Sequence, residues 1–187
     1  MSNELIIIEQ AKSDPNALAE LYRKYVCRVY HFIVYRVGTI QDAEDLTSLV
    51  WEKVVDKLTT FHPNNNYSFS AWIFQIARNC IIDYFRLHGK QHTISLDEIS
   101  ELVETRNTPY EQVVEQQTMR QVCSILKKLP EKQATTISLR YYAELRNKDI
   151  AIIMHVSEKT VASNLSRALL NFQKLWNQEI NHLESPS

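Results

Sequence analysis

Apolar residues recur every three or four positions along the first half of the chain, which is the spacing of amphipathic α-helices. Asp14, followed directly by a proline, predicts the start of a first helix that ends near Gly38. A second helix ends before the turn-forming residues 62–66, and a third runs from about Ser68 to near His88. The three apolar stripes are Leu18, Leu21, Tyr22, Tyr25, Val29, Phe32 and Ile33; Leu46, Val50, Val54, Leu58 and Phe61; and Phe69, Trp72, Ile73, Ile76, Ala77, Cys80, Ile81 and Tyr84.

The helical period resumes after Pro109 and is broken by Pro130, which cannot continue a helix. Its apolar positions are Val113, Met119, Val122, Ile125, Leu126 and Leu129. A further short helix is predicted from Glu131 to about Tyr142.

Residues 147–161 carry the most specific local pattern in the chain. A short helix containing Ala151 is followed by a tight turn at His155 and Val156, and Ser157 is a suitable N-cap for a long helix to about Trp176. We predict a helix-turn-helix in which the small Ala151 lets two helices cross closely and Val156 fills their angle. The predicted buried stripe of the long helix is Val161, Leu165, Ala168, Leu169, Phe172 and Trp176. The alternative is a structural bend between two helices.

Composition supports an all-α fold, because the 187 residues include only two glycines, against an average of roughly 7%. Barrels, sandwiches and doubly wound sheets normally need more glycine at their turns. With only these two glycines, the sequence cannot contain a dinucleotide-binding fingerprint or a P-loop.

Several chemical classes are not expected. Cys27, Cys80 and Cys123 are far apart, so we predict reduced core thiols and neither disulfide nor zinc. The scattered histidines suggest no metal site, and no catalytic arrangement or cofactor motif is visible. The apolar runs are too short for a membrane span, and no signal peptide is apparent. The unpaired cysteines suit a reducing cytoplasm.

Charge divides the chain into three parts. Residues 1–90 contain ten basic and ten acidic residues, residues 91–115 one and six, and residues 116–187 ten and six. We therefore predict a first domain over 1–90, an acidic linker over 91–109 and a second domain over 110–187. The alternative for the linker is a short edge element packed on a domain.

Two surfaces suggest nucleic-acid binding. The second helix of the helix-turn-helix has a short-chain polar face that could enter a major groove: Lys159, Ser163, Asn164, Ser166 and Arg167. The amide-rich and aromatic residues 62–69 would alone be an ordinary turn. Beside the polar helix residues Arg78, Asn79, Asp83, Arg86 and Lys90, they resemble a single-strand binding surface.

Asp42, Glu44 and Asp45 cluster where the second helix begins. Carboxylates there are explained by the helix dipole or by a basic protein partner.

Two blocks of residues carry a family resemblance. The first comprises residues 42–46, Trp51, Phe61, residues 70–79 and residues 83–86; the second comprises residues 129–133, 139–142, 150–151, 157–161 and 167–169. In this order the sequence resembles the extracytoplasmic-function sigma factors of bacterial RNA polymerase, with regions two and four joined by a linker.

The resemblance implies that region two binds the polymerase clamp and melts the minus-ten element, while region four binds the minus-thirty-five duplex and touches the polymerase flap. The resemblance also implies a dissociable specificity subunit that has no catalytic centre of its own and is not an enzyme. Expected partners are the polymerase core and promoter DNA, with an anti-sigma factor as a further candidate and no insertion into a membrane. The residues implied for polymerase are Asp42, Asp45, Leu46 and Trp51, the last two as apolar contact or support. Those implied for the minus-ten element are Asn64, Asn65, Asn66, Tyr67, Arg78, Asn79 and Arg86. Those implied for the minus-thirty-five element are Ser157, Lys159, Thr160, Ser163, Asn164, Ser166 and Arg167.

The acidic residues Asp97, Glu98, Glu101 and Glu104 are expected to thread near the polymerase active site. The sequence departs from the family pattern at Ser48, Leu49, His155, Ala162 and Asn164. Two other functions stay open on the sequence alone: a regulator that binds an operator through residues 130–176 without polymerase, and a helical interaction module that binds no DNA.

Overall fold

The computed structural model describes residues 3–62, 67–88 and 109–183. Within them the chain forms eight α-helices, in agreement with the all-α prediction. They are α1 (Asn3–Ala11), α2 (Pro15–Val37), α3 (Ile40–Leu58), α4 (Phe69–His88), α5 (Pro109–Lys128), α6 (Glu131–Tyr141), α7 (Asn147–Met154) and α8 (Glu158–Leu183). None of these helices is apolar over a stretch long enough to cross a membrane.

The ends of α2 follow from its sequence. The Asp14 side chain accepts a hydrogen bond from the backbone N–H of Asn16 at 2.8 Å, which caps the helix. Gly38 ends the helix with a left-handed backbone, φ 84°, and its N–H returns to the Val34 carbonyl. Glycine adopts this conformation without steric cost, so the chain can turn sharply into α3.

The N-terminal helices α1 to α4 pack around aromatic and branched side chains. Phe32 of α2 and Phe74 of α4 are buried, with their rings edge to face at 5.6 Å. The helix α1, which the sequence analysis did not identify, is held on α2 because Glu4 accepts hydrogen bonds from Lys24 Nζ at 2.8 Å and Tyr25 Oη at 2.6 Å.

The C-terminal helices form a second group. Helices α5, α6 and α8 enclose a small apolar cluster, whose buried members are Leu126, Leu129, Ala134, Ile137 and Ala168. The short α7 packs on both α8 and α4.

The two groups are in contact, which the sequence did not predict. Buried residues from α6 to α8, including Leu139, Ile150 and Val161, belong to the same apolar cluster as the core of α1 to α4. Of the predicted linker, only Pro109 lies in the described part, where it begins α5. The predicted domain limits therefore stay a prediction.

Three details of the C-terminal helices differ from what the sequence predicts. Helix α8 continues to Leu183 and does not stop near Trp176. Leu169 was assigned to its buried stripe but is 37% exposed, since the face of α8 that packs on the core instead uses Leu165, Ala168, Phe172 and Leu175. Val156 is also 37% exposed, so it does not fill the angle of the helix-turn-helix.

Candidate nucleic-acid and protein interfaces

A left-handed residue sets the angle of the helix-turn-helix. His155 has φ 54° and ψ 47°, and it directly follows α7. Its N–H donates to the Ile152 carbonyl at 3.2 Å, and the N–H of Val156 donates to the Ala151 carbonyl at 3.0 Å. This pair of bonds is a Schellman motif, which ends a helix and redirects the chain. The turn predicted at His155 is present, and these two backbone hydrogen bonds form it.

The cap of α8 is the one that the sequence predicts. Ser157 Oγ accepts a hydrogen bond from the N–H of Thr160 at 3.1 Å, and the two hydroxyl oxygens lie 2.8 Å apart. The exposed residues of the first turns include Ser157 and Lys159, while Thr160 is half-buried. The positive end of the helix dipole therefore lies beside an exposed serine and an exposed lysine, an arrangement that suits a phosphate.

The polar face of α8 is organised by bonds within the helix. Arg167 Nη2 donates to Asn164 Oδ1 at 3.1 Å, and Arg167 Nε donates to the Ser163 carbonyl at 3.3 Å. Ser163 Oγ donates to the Thr160 carbonyl at 3.1 Å, and Ser166 is exposed. Asn164 and Arg167, which can recognise adenine and guanine, thus sit side by side on one turn.

The second candidate nucleic-acid surface lies on α4. Asn79 and Arg86 are exposed, and Arg86 pairs with Asp83 at 3.2 Å. Arg78 is half-buried, and its Nε has no hydrogen-bond partner among the described residues. Asn79 Oδ1 accepts a long hydrogen bond from Gln75 Nε2 at 3.5 Å.

The aromatic residues beside α4 form the base of the adjoining loop. Phe61 is buried and lies 4.6 Å from the Trp72 ring, as measured between centroids. Tyr67 is half-buried with its ring 6.1 Å from Phe61, and burial raises the pKa of its hydroxyl. Asn64, Asn65 and Asn66, predicted to contact DNA, lie outside the described residues.

The carboxylates of α3 have different surroundings. Asp42 Oδ2 accepts hydrogen bonds from Thr39 Oγ1 and from Tyr84 Oη, the latter at 2.7 Å. Burial, and then this bond to Asp42, raise the pKa of Tyr84. Glu44 and Asp45 are exposed. Asp42 therefore joins the start of α3 to α4, and Asp45 is better placed for a partner.

A shallow groove lies between α2 and α3, and Asp45 is one helical turn before Ser48, which lines it. Leu18, Tyr22 and Val55 line its walls, and Glu52 and Asp56 give it an acidic rim. Trp51 lies in the floor with its ring 4.8 Å from Tyr22. This α2–α3 groove joins apolar surface to negative charge, which suits a basic amphipathic partner.

Buried residues support the α2–α3 groove from below. Leu46 is 7% exposed and Trp51 is 6% exposed, so of the two predicted roles, support fits better than contact. Thr47 Oγ1 and Trp51 Nε1 are buried without a hydrogen-bond partner among the described residues. Val55 and Glu52 were not among the site residues predicted from the sequence. The sequence did contain one signal for this surface, because Val55 is apolar but lies outside the buried stripe of α3.

The linker carboxylates Asp97, Glu98, Glu101 and Glu104 lie outside the described residues. Among those that are described, no group of three or more histidine, cysteine or acidic side chains is arranged to hold a metal ion. Cys80 and Cys123 are buried free thiols, as predicted, but Cys27 is exposed and is not a core thiol.

Comparison with known proteins assigns each half of the chain to a sigma-factor region. The family model described as Sigma-70 region 2 matches residues 21–91, and the model described as Sigma-70, region 4 matches residues 119–171. The chain is similar to the ECF RNA polymerase sigma factor SigM of Bacillus subtilis, with 31% identity over 163 residues, 87% of this chain and 96% of SigM.

Two solved structures share the fold. CnrH, in complex with the cytosolic domain of CnrY, has a TM-score of 0.71 and 19% identity over 92% of this chain and 96% of its own. The sigma factor RpoE of Bartonella quintana, in complex with the anti-sigma factor NepR, has a TM-score of 0.64 and 22% identity over 86% of this chain and 96% of its own.

Proposed function

Since the chain belongs to the extracytoplasmic-function (ECF) sigma factors of RNA polymerase, we propose that three of its surfaces divide promoter recognition between polymerase and DNA. As a sigma factor it acts in transcription initiation, with the polymerase core and promoter DNA as its partners. The protein supplies specificity, and the chemistry of RNA synthesis stays with the polymerase. It works in the cytoplasm, where both partners are found.

The exposed side of α3 and the α2–α3 groove bind the polymerase clamp. The supporting observation is the contrast between Asp42, which accepts a hydrogen bond from Tyr84, and Asp45, which is exposed one helical turn before a residue that lines the α2–α3 groove. Truncating one partner of a charged interface pair costs about 2–5 kcal/mol when the pair is buried, and less at the rim. Asp45 and Glu52 are therefore the proposed charged contacts, with Leu46 and Trp51 supporting them.

The exposed face of α4 and the aromatic residues beside it bind the melted minus-ten strand. Asn79, Arg86 and Tyr67 are the described residues assigned to it, and Arg78 lies half-buried beside them. Amides read base edges, aromatic rings stack and cations hold phosphates. Asn64, Asn65 and Asn66 are assigned to the same strand on sequence alone.

The capped helix α8 reads the minus-thirty-five duplex, and this geometry carries the proposal. Ser157, Lys159 and Thr160 bind the DNA backbone at the helix start. Asn164 and Arg167 are the proposed base contacts, with Ser163 and Ser166 on the adjoining surface. One good bidentate contact discriminates between bases by about 1–3 kcal/mol.

In vitro transcription with purified core and a randomised promoter library tests these assignments. Arg167→Ala should relax the preference at one or two upstream positions, whereas Lys159→Ala should weaken all promoters alike and lower the salt dependence. Lys174→Ala is the matched control, because Lys174 is an exposed cation farther along α8. An unchanged sequence preference for Arg167→Ala would remove it from base recognition.

Core binding is measured separately by co-purification or fluorescence anisotropy. Asp45→Arg and Glu52→Arg should each weaken the complex, and Glu9→Arg makes the same charge change at an exposed position on α1 as a control. Equal affinity of all three variants would contradict the proposed clamp surface. Promoter-specific binding without core would instead indicate an operator-binding regulator.

We also propose an anti-sigma factor as a regulatory partner. The supporting observation is the shared fold with RpoE of Bartonella quintana, which the anti-sigma factor NepR binds. Such a partner should compete with core for α3, so Asp45→Arg should alter both affinities. An inhibitor that binds equally well to the preformed complex with core would contradict this competition.

A further inference from the structure

Two acceptors on α8 hold the side chain of Arg167 on the polar face of that helix. Arg167 Nε donates to the Ser163 carbonyl at 3.3 Å, and Arg167 Nη2 donates to Asn164 Oδ1 at 3.1 Å. Arg167 is exposed, and no carboxylate among the described residues forms an ion pair with it. The guanidinium is therefore held by its own helix and not by an acidic neighbour.

The two bonds use one edge of the guanidinium. A guanidinium carries five N–H donors in a fixed plane, and the Nε hydrogen and one Nη2 hydrogen lie along the same edge. Both donors of that edge are taken by acceptors on Ser163 and Asn164. The other Nη2 hydrogen and one Nη1 hydrogen form a parallel fork along the terminal edge, which suits a bidentate acceptor. The helix thus holds one edge of Arg167 and leaves the terminal fork for a partner outside the protein.

The chemistry of the pair fixes which way the Asn164 amide faces. Arginine only donates hydrogen bonds, so the Asn164 carbonyl oxygen must face Arg167 and the amide NH2 group must point away from it. An asparagine that reads adenine accepts from the adenine N6 amino group with this same oxygen, while its NH2 group donates to N7. Reading adenine would therefore compete with holding Arg167.

The position of Asn164 around α8 also favours a supporting role. With 3.6 residues per turn, Arg167 lies between Ser163 and Asn164, about 40° from the first and about 60° from the second. Asn164 lies about 40° from Ala168, which is buried, and Asn164 itself is half-buried. The longer and more exposed Arg167 therefore reaches farther towards a duplex than Asn164 does.

The terminal fork of Arg167 matches one base. In the major groove guanine presents two acceptors, O6 and N7, whereas adenine presents an acceptor beside an amino donor, thymine presents one acceptor and cytosine presents a donor. Building on the function proposed above, we propose that Asn164 is a positioning residue, which presents the Arg167 fork to a guanine of the minus-thirty-five duplex and reads no base itself. The contribution of Asn164 to base recognition is then made through Arg167.

Promoter libraries transcribed by the holoenzyme test this assignment, with the preference for each base at each upstream position as the readout. Arg167→Ala should lower the preference for guanine at one position by about 5- to 100-fold. Asn164→Ala should lower it at that same position by about 2- to 10-fold, because one hydrogen bond to Arg167 is lost. A change at a different position in Asn164→Ala would overturn the proposal, because Asn164 would then read a base of its own.

Asn171→Ala is the matched control. Asn171 is exposed on the same helix, and its Nδ2 donates to Gln133 Oε1 at 2.9 Å, so this variant also removes one asparagine and one exposed hydrogen bond. The guanine preference should stay at the wild-type value. An equal loss in Asn171→Ala and Asn164→Ala would contradict a specific role for Asn164.

A double variant separates positioning from an independent contact. In the Arg167→Ala background, Asn164→Ala should change the guanine preference by less than about 2-fold, because two residues that act as one unit are not additive. Additive effects would contradict the coupling. Arg167→Lys should also lose the guanine preference while it keeps most of the affinity, because lysine is a point charge without a planar fork. A guanine preference retained by Arg167→Lys would refute recognition by the fork.

Asn164→Asp supplies the conservative rescue. A carboxylate keeps the acceptor for Arg167 but lacks the NH2 group that would donate to adenine N7. The guanine preference should therefore survive in this variant, although the overall affinity for DNA should fall because the added negative charge meets phosphate. Loss of the guanine preference in Asn164→Asp at an unchanged melting temperature would contradict the positioning role.

The wild-type and Arg167→Ala libraries separate this proposal from the function on which it depends. Failure of the wild-type factor to initiate transcription with core, or an Arg167→Ala library with the wild-type preference, would refute the proposed minus-thirty-five contact itself. A base other than guanine at the position that depends on Arg167 would refute the fork. A guanine preference that Arg167→Ala removes and Asn164→Ala leaves intact would refute only the positioning role of Asn164.

Discussion

The Tyr84→Phe substitution should distinguish the structural role of Asp42 on α3 from the proposed polymerase contact at Asp45. Tyr84 is buried, and its hydroxyl donates to Asp42 Oδ2 at 2.7 Å, which connects α4 to the first turn of α3. The substitution removes that donor and keeps the ring. Since a hydrogen bond to a charged group contributes about 1.5–3 kcal/mol, the free energy of unfolding should fall by about that amount.

Thermal unfolding followed by circular dichroism measures the loss. For a chain of this size each kcal/mol lowers the melting temperature by about 2–4 °C, so a decrease of about 3–12 °C is expected. Tyr22→Phe is the matched control, because the Tyr22 side chain is 45% exposed. Asp42→Asn combined with Tyr84→Phe should give less than the sum of the two single effects, because both remove the same interaction.

Core binding supplies the second half of the test. Tyr84→Phe should leave the affinity for core unchanged, while Asp45→Arg should lower that affinity at an unchanged melting temperature. A Tyr84→Phe protein as stable as the wild type would refute the structural role of Asp42. Loss of core binding in that variant at full stability would return Asp42 to the polymerase surface.

Three further changes have defined outcomes. Ser157→Ala removes the acceptor for the Thr160 N–H and should cost about 1 kcal/mol in chemical denaturation, whereas the exposed Ser166→Ala should change stability by less than about 0.5 kcal/mol. His155→Gly should raise the melting temperature by a few degrees, because a left-handed residue costs about 1–2 kcal/mol and only part of that gain is offset in the unfolded chain; an unchanged or lower value would contradict the assigned strain. Burial alone raises the pKa of Glu4, but hydrogen bonds from Lys24 and Tyr25 outweigh burial and hold the pKa below 4.5. The stability that Glu4 contributes is therefore present above that pH and is lost below it. Glu4→Gln should flatten the dependence of the unfolding free energy on pH in that range.

Most helices were predictable because their signals are local. Asp14, Gly38, Pro130 and Ser157 cap or break helices through their own side chains and backbone preferences, and each lies at the predicted helix end. Helix α1 was missed because its apolar residues Leu5 to Ile8 are consecutive and do not form a stripe. Its position depends on Glu4, whose partners lie twenty residues away.

The surfaces were less predictable because exposure depends on tertiary contacts. Asp42 and Asp45 have the same side chain three residues apart, and only the position of Tyr84 on another helix distinguishes their roles. Leu169 was placed on the buried stripe by its spacing, but the neighbouring helices of α8 do not cover it. The packing of α6 on α2 depends on Arg36 and Glu131, which are 95 residues apart and have no mutual sequence signal.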